Sequence, residues 1–336
     1  LVELCELLAI RVLESMAYHV NFPADHELHA GFQYHTVAQN PVLAQADVLL
    51  VIDSDVPWIP AVNRPSAGAA IYCVDVDPLK ASMNMWHVPA RRFATASARV
   101  AVGQIARFVR DHDLADPAVV GARREAAAQT HQQEQAERAG REHPRDDGAI
   151  TAEYLTACVR RLLEDENALV LTEVVTNSKI VAEHLRPNRP GSVIHHGGAA
   201  LGWAGGAAVG AKLAAPGQTV VTLVGDGCYL FGVPSSAQWV ARRYGAPALT
   251  VIYDNRGWAA PKFSTLQVHP DGAAAAAGDF GTSFEPEVDL PGVARAAGAY
   301  GVTVSDPGEL PQVLKDALAI VRGGRSAVIS VHLPAV

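Results

Sequence analysis

Two periodicities alternate along the chain. Short unbroken apolar runs, Val48-Leu49-Leu50-Val51-Ile52 and Ala70-Ile71-Tyr72-Cys73-Val74, are each followed by aspartate. A strand covered on both faces reads as a continuous apolar run, so these two predict buried parallel strands. Over 97–110 the spacing turns helical, with Val100, Val102, Ile105, Ala106 and Val109 as its apolar positions. Residues 1 to about 120 therefore predict a doubly wound α/β unit.

From 122 to 147 the alternation stops. Ala, Gln, Glu and Arg dominate, ending in His143-Pro144-Arg145-Asp146-Asp147-Gly148, the pattern of a solvated helix running into a linker. A second alternating unit follows. Helices are expected at 151–163, 202–214, 235–244 and 310–321, and strands at 168–172, 220–224, 248–253 and 327–331. Strand and helix in strict turn imply a parallel sheet, whose ligands sit at the carboxyl ends of its strands. The expected organisation is a first domain over 1–121, a helical linker over 122–149 and a second domain over 150–336. The fold class is α/β, with two doubly wound parallel-sheet domains. The run Ala273–Ala277 reads as a flexible low-complexity insert.

Composition narrows the functional classes. Of the 336 residues, 49% are hydrophobic and 18% charged, enough apolar material for two cores and too little charge for disorder. A net charge of −8 argues against a nucleic-acid binder but leaves room for one anionic cofactor at a local site. No apolar run approaches the roughly 18 residues of a membrane span, and no secretion signal is visible. Cys5, Cys73, Cys158 and Cys228 form no CxxC pair and are expected as buried reduced thiols in a cytoplasmic protein. The chain opens at Leu1 inside a helix-like stretch, which predicts a fragment lacking an N-terminal part.

The chemistry concentrates between 220 and 258. The apolar run Val220–Val224 ends in Gly225-Asp226-Gly227, and one crossover later Leu249–Tyr253 ends in Asp254-Asn255-Arg256-Gly257-Trp258. Neighbouring parallel strands would bring Asp226 and Asn255 to one point. A carboxylate oxygen, an amide oxygen, a backbone carbonyl and phosphate oxygens make the all-oxygen set that Mg²⁺ takes. The glycines allow close backbone approach, and amides after Gly225 are expected to donate to phosphate. Singly, each motif is an ordinary turn; on consecutive strands about thirty residues apart they point to a site.

This pair of motifs resembles the thiamine diphosphate signature of acetolactate synthases, pyruvate decarboxylases and benzoylformate decarboxylases. The resemblance implies Asp226, Asn255 and the Gly257 carbonyl as metal ligands, with Gly225, Gly227, Cys228 and Trp258 around the cofactor. The family usually has asparagine where this chain has Asp254. The stretch His196-Gly197-Gly198-Ala199-Ala200-Leu201-Gly202 is similar to the family's glycine-rich segment. It implies Leu201 as the apolar support of a bent cofactor and the Ala199 carbonyl as acceptor for its aminopyrimidine. Gly205-Gly206 stand where the family commonly has a pair such as Leu-Pro. Thr176 and Asn177 match the turn that contacts the terminal phosphate, and helix capping is an equal alternative for them.

The first domain resembles the family's central, Rossmann-like domain without its opening strand, and 150–336 its diphosphate-binding domain. The resemblance implies thiamine diphosphate and Mg²⁺ as cofactors and decarboxylation of a 2-oxo acid, with carboligation of the acetolactate synthase type preferred. A benzoylformate-type decarboxylase, or a non-catalytic cofactor-binding remnant, is the alternative. The family implies a homodimer or homotetramer for the full-length protein, and flavin (FAD) binding stays open. The glutamate that activates the cofactor has no counterpart: Glu14, Glu173 and Glu183 sit in other contexts. The isolated chain is therefore expected to be inactive. Set aside are a zinc site at His19, His26, His29 and His35 with Asp25 and Glu27, and a second cation site at Asp53-Ser54-Asp55. His195 and His196 read equally as cofactor-facing or as packing residues.

Overall fold

The computed structural model describes residues 1–33, 38–83, 88–197 and 200–335. The chain forms two units, one of Leu1–Ala17 with Asn21–Glu137, the other of Tyr18–Val20 with Arg138–Val336.

The first unit runs α1 (Val2–Leu8), β1 (Val12–Ser15), β2 (His29–Gln33), α2 (Pro41–Gln45), β3 (Val48–Ile52), β4 (Ala70–Asp75), β5 (Arg92–Thr95), α3 (Ala98–Asp111) and α4 (Pro117–Ala139). Strands β3-β4-β5 form one parallel sheet and β1-β2 a parallel pair. Leu43, Val51, Trp58, Ile71 and Cys73 pack together as the core under the larger sheet. Strand β3 corrects the expectation of a strand covered on both faces. It lies at the sheet edge, with Val48 60% and Leu50 37% exposed, while Val51 is buried. His29, one of the histidines set aside as a zinc ligand, is buried against Glu14, Nε2 to Oε2 at 3.1 Å. His35 lies outside the described residues.

The second unit contains α5 (Ala152–Leu162), β6 (Ala168–Glu173), α6 (Ser178–Leu185), β7 (Val193–His195), α7 (Trp203–Ala214), β8 (Thr219–Gly225), α8 (Asp226–Phe231), α9 (Pro234–Arg243) and β9 (Leu249–Asp254). It continues with α10 (Ala259–Val268), α11 (Ala273–Ala277), α12 (Leu290–Ala296), β10 (Tyr300–Val304), α13 (Leu310–Arg322) and β11 (Ala327–His332). Its six strands are ordered β10-β11-β9-β8-β6-β7, and every pairing is parallel. The α/β class with parallel sheets expected from the sequence is what the structure has.

Strands β6 and β9 are buried at every residue. Leu223, Leu249, Val251 and Ile329 sit at the centre of the sheet's main core, each contributing about 1.5–3 kcal/mol through burial. The Tyr253 hydroxyl would be costly in that core, and pairs with Thr156 Oγ1 of α5 at 2.8 Å. The alanine run 273–277, expected as a flexible low-complexity insert, forms a five-residue helix closed by Gly278 at φ +64°. Alanine's helix propensity needs only such a terminator. All four cysteines are buried and free. No helix among the described residues is long and apolar enough to cross a membrane.

Candidate cofactor and cation site

Register places the functional groups. Strands β8 and β9 run side by side with Gly225 opposite Tyr253, so the residues just beyond, Asp226 and Asp254-Asn255, share one stretch of the sheet's carboxyl edge. Asp226, Asp254 and Asn255 are all buried. Asp226 Oδ1 accepts its neighbour's Gly227 N–H at 2.7 Å, and Oδ2 accepts the Gly257 N–H at 3.0 Å. The Gly227 amide, expected as a phosphate donor, is thus turned onto the carboxylate. Burial, and then the neighbouring Asp254 carboxylate, push Asp226 up to about 7.

The Asn255 carboxamide reaches the same point. One of its two polar atoms lies 3.1 Å from Asp226 Oδ2 and 2.8 Å from the Gly257 carbonyl oxygen. With nitrogen in that position the amide donates to both oxygens. With oxygen there, the Asn255 oxygen stands from each of the other two oxygens at a spacing near the about 2.9 Å edge of an octahedron with 2.0–2.1 Å arms. The donor set and its spacing fit a small hard cation, and the amide flip supplies hydrogen bonds when no cation is present.

The surrounding walls use backbone closeness. A Cβ on Gly227 would lie 2.0 Å from Trp258 Nε1, and one on Gly257 would lie 2.6 Å from the Thr282 carbonyl oxygen. Trp258 donates its backbone N–H to that carbonyl at 2.8 Å, and its ring meets the Phe284 ring edge-on at 5.0 Å. Trp258 stays 39% exposed and Leu201 37%, two large apolar side chains left at the carboxyl edge rather than in a core. Gly225 closes β8, and the Cys228 thiol turns into the core with Val224 and Ile252. Burial, then the charges of Glu173 and Asp226, push that thiol up to about 12, so it stays protonated and inert.

Thr176 is exposed, and Asn177 takes the N-cap position of α6 without making a side-chain cap hydrogen bond. Of the two readings of Asn177, the capping one is not used. Ala199 lies outside the described residues. His195 Nδ1 is 2.5 Å from Thr172 Oγ1, and His196 Nδ1 is 3.3 Å from the Thr172 carbonyl oxygen, so both δ nitrogens turn to the end of β6.

Sequence reasoning missed the use of Glu173. This fully buried carboxylate ends β6 and accepts the Gly202 N–H at 2.5 Å and the Ala204 N–H at 2.7 Å, satisfying the start of α7. Leu201 is thereby fixed next to a held backbone. The other acids set aside as activators are also engaged. Glu14 accepts from the Asn21 backbone and side chain, and Glu183 lies 3.8 Å from Lys179. The signal for Glu173 was a single acid closing the apolar run Ala168–Thr172.

A parallel sheet with an oxygen-rich cluster and glycine-cleared backbone at its carboxyl edge has the form of a domain that binds a small anionic ligand. Comparison with known proteins gives the family. The family described as "Thiamine pyrophosphate enzyme, C-terminal TPP binding domain" matches residues 173–331, and this segment belongs to it. Thiamine diphosphate is accordingly the cofactor class of the domain. The chain is 33% identical over 112 residues to the acetolactate synthase large subunit of Parasynechococcus marenigrum, covering 33% of this chain and 18% of that protein. It is 31% identical over 93 residues to benzoylformate decarboxylase of Pseudomonas aeruginosa, covering 28% and 17%. In fold it is similar to the thiamine diphosphate-dependent 4-hydroxybenzoylformate decarboxylase of Rhodococcus jostii RHA1, with a TM-score of 0.74 and 20% identity over 100% of this chain and 58% of that one. The chain thus spans 58% of that structure, and aligns with less than a fifth of either curated relative.

Proposed function

We propose that this chain holds the metal and diphosphate end of thiamine diphosphate in a Mg²⁺-dependent enzyme acting on 2-oxo acids. The activity is carboligation of the acetolactate synthase type. The observation that carries this reading is the Asn255 carboxamide standing 3.1 Å from Asp226 Oδ2 and 2.8 Å from the Gly257 carbonyl oxygen. A benzoylformate-type decarboxylase is the second reading, supported by a fold likeness that extends over the whole chain.

Asp226, Asn255 and Gly257 would hold Mg²⁺, which neutralises the diphosphate against the buried carboxylate. Bound thiamine diphosphate supplies the electron sink for loss of CO₂ from a 2-oxo acid. The chain's own residues position and shield. Glu173 holds the backbone that carries Leu201, and Leu201 and Trp258 offer apolar surface that excludes water from the cofactor. Among the described residues Glu14, Glu173 and Glu183 are each engaged elsewhere, and in this reading another polypeptide segment supplies the activating glutamate within a cytoplasmic homodimer or homotetramer.

Isothermal titration with thiamine diphosphate tests the reading. Binding is expected only with Mg²⁺ present, and Asp226→Ala is expected to weaken it at least about 100-fold, the loss of a charged ligand. Equal binding by the two proteins overturns the site. Turnover of a 2-oxo acid by the isolated chain overturns the claim that it needs a completing segment.

A further inference from the structure

Asp254 has no assigned role, yet its surroundings are built around it. Its carboxylate is buried at the end of β9, beside Asp226 and one residue before Asn255. Oδ1 accepts the Arg256 N–H at 3.1 Å, and Oδ2 accepts the Ser330 hydroxyl at 2.7 Å. His332 Nε2 stands 3.7 Å from Oδ2 and 3.2 Å from Glu287 Oε1, with its Nδ1 3.0 Å from Ser305 Oγ. Among the described residues no Lys or Arg side chain pairs with Asp226 or Asp254. Arg256, the nearest in sequence, sends its guanidinium to the Leu333 carbonyl at 3.2 Å.

Two adjacent buried carboxylates without a fixed cation repel each other and favour a positive charge brought from outside. Asparagine would keep the shape of Asp254 and omit the charge. Hydrogen bonds from strand β11 and from the Arg256 backbone hold Asp254 away from solvent, where its field is screened least. We infer that Asp254 is a positioning residue that charges the cation site without ligating, so that a divalent cation is held more tightly than the three-oxygen cluster alone would hold it. This inference rests on the reading of Asp226, Asn255 and Gly257 as cation ligands.

Mn²⁺, detected by its electron paramagnetic resonance signal, serves as the probe, titrated into the whole chain with and without thiamine diphosphate. Asp254→Asn is expected to weaken Mn²⁺ binding about tenfold without the diphosphate and less with it, because the diphosphate brings its own negative charge. The metal-free thermal midpoint of the same variant is expected to stay level or rise, since a like-charge contact is removed. A purely structural role predicts the reverse, a lower midpoint with unchanged affinity. His332→Lys approaches the charge from the other side. A fixed cation beside Asp254 should weaken Mn²⁺ binding about fivefold, at a partly exposed position that leaves folding intact. Unchanged Mn²⁺ affinity in either folded variant overturns the inference while leaving the cation-site reading in place. Failure of the unsubstituted chain to bind Mn²⁺ under both conditions overturns the two together.

Discussion

Both units end parallel strands in aspartate, and they treat those carboxylates in opposite ways. In the first unit Lys80 bridges Asp75 and Asp55, with 2.7 Å to each. Burial alone would lift the Asp75 carboxyl, but Lys80 and the Asp77 backbone outweigh it and hold the group below its ordinary value. In the second unit Asp226 and Asp254 face each other, hydrogen-bond donors and a histidine, with no Lys or Arg partner among the described residues, and Asp226 is pushed up. Strand-end position is common to both and is dictated by topology. What separates the two clusters is whether the chain supplies the counter-charge, and that difference is what the proposed cation site rests on.

The comparison breaks most visibly at Lys80. Replacing it with Met strands the buried Asp75, and a loss of about 3 kcal/mol is expected from denaturant unfolding, whatever cation is added. A loss that Mg²⁺ restores would show that the first unit also takes an external cation. In the second unit, Mg²⁺ at about 100 times its dissociation constant should stabilise the chain by about 2.7 kcal/mol, read as a rise in thermal midpoint that chelation reverses. Asn255→Lys would give this unit an internal cation like that of the first. It is expected to abolish the Mg²⁺ response; a response that persists would place the cation elsewhere.

The smallest effect lies away from either strand-end cluster. Arg160 contacts Glu142 through both terminal nitrogens, at 2.7 and 2.8 Å, and His184 Nδ1 stands 3.1 Å from the same carboxylate. Burial raises the Glu142 carboxyl, but these partners outweigh it and hold it below its ordinary 4.5. A depressed carboxylate contributes stability above pH 4.5 that is lost as the pH falls through its folded-state value. Glu142→Gln should therefore cost about 1 kcal/mol at pH 7 and flatten the acid limb of the stability curve. An acid limb identical to that of the unsubstituted chain would count against the clasp.

Legibility in the sequence followed burial. Strands β6, β8, β9 and β11 announced themselves because both faces are covered and their runs are apolar but for single Thr or Ser residues. Strand β5, exposed at all four residues, and β7, three residues long, carry no such signal. The oxygen cluster was visible because topology alone brings the ends of consecutive strands together. Glu173 was not, because its partners Gly202 and Ala204 lie 29 and 31 residues away, beyond α6 and β7. Asp254 was noticed as a departure from its family, but Ser330, 76 residues on, gave no hint of being its partner. Local pattern reports elements and strand ends; it does not report which polar groups are buried together.

Gly202 sits at φ +86°, and a Cβ there would lie 2.8 Å from the Gly232 Cα; the reciprocal Cβ on Gly232 would lie 3.2 Å from Gly202. The backbones at the start of α7 and the end of α8 therefore touch, with no space for a methyl group on Gly202 and little on Gly232. A saturation screen for cofactor retention would mark both glycines as intolerant although neither offers a functional group. Sensitivity in such a map would here record the separation of two peptide backbones, and a chemical role assigned to either position on that basis would be mistaken.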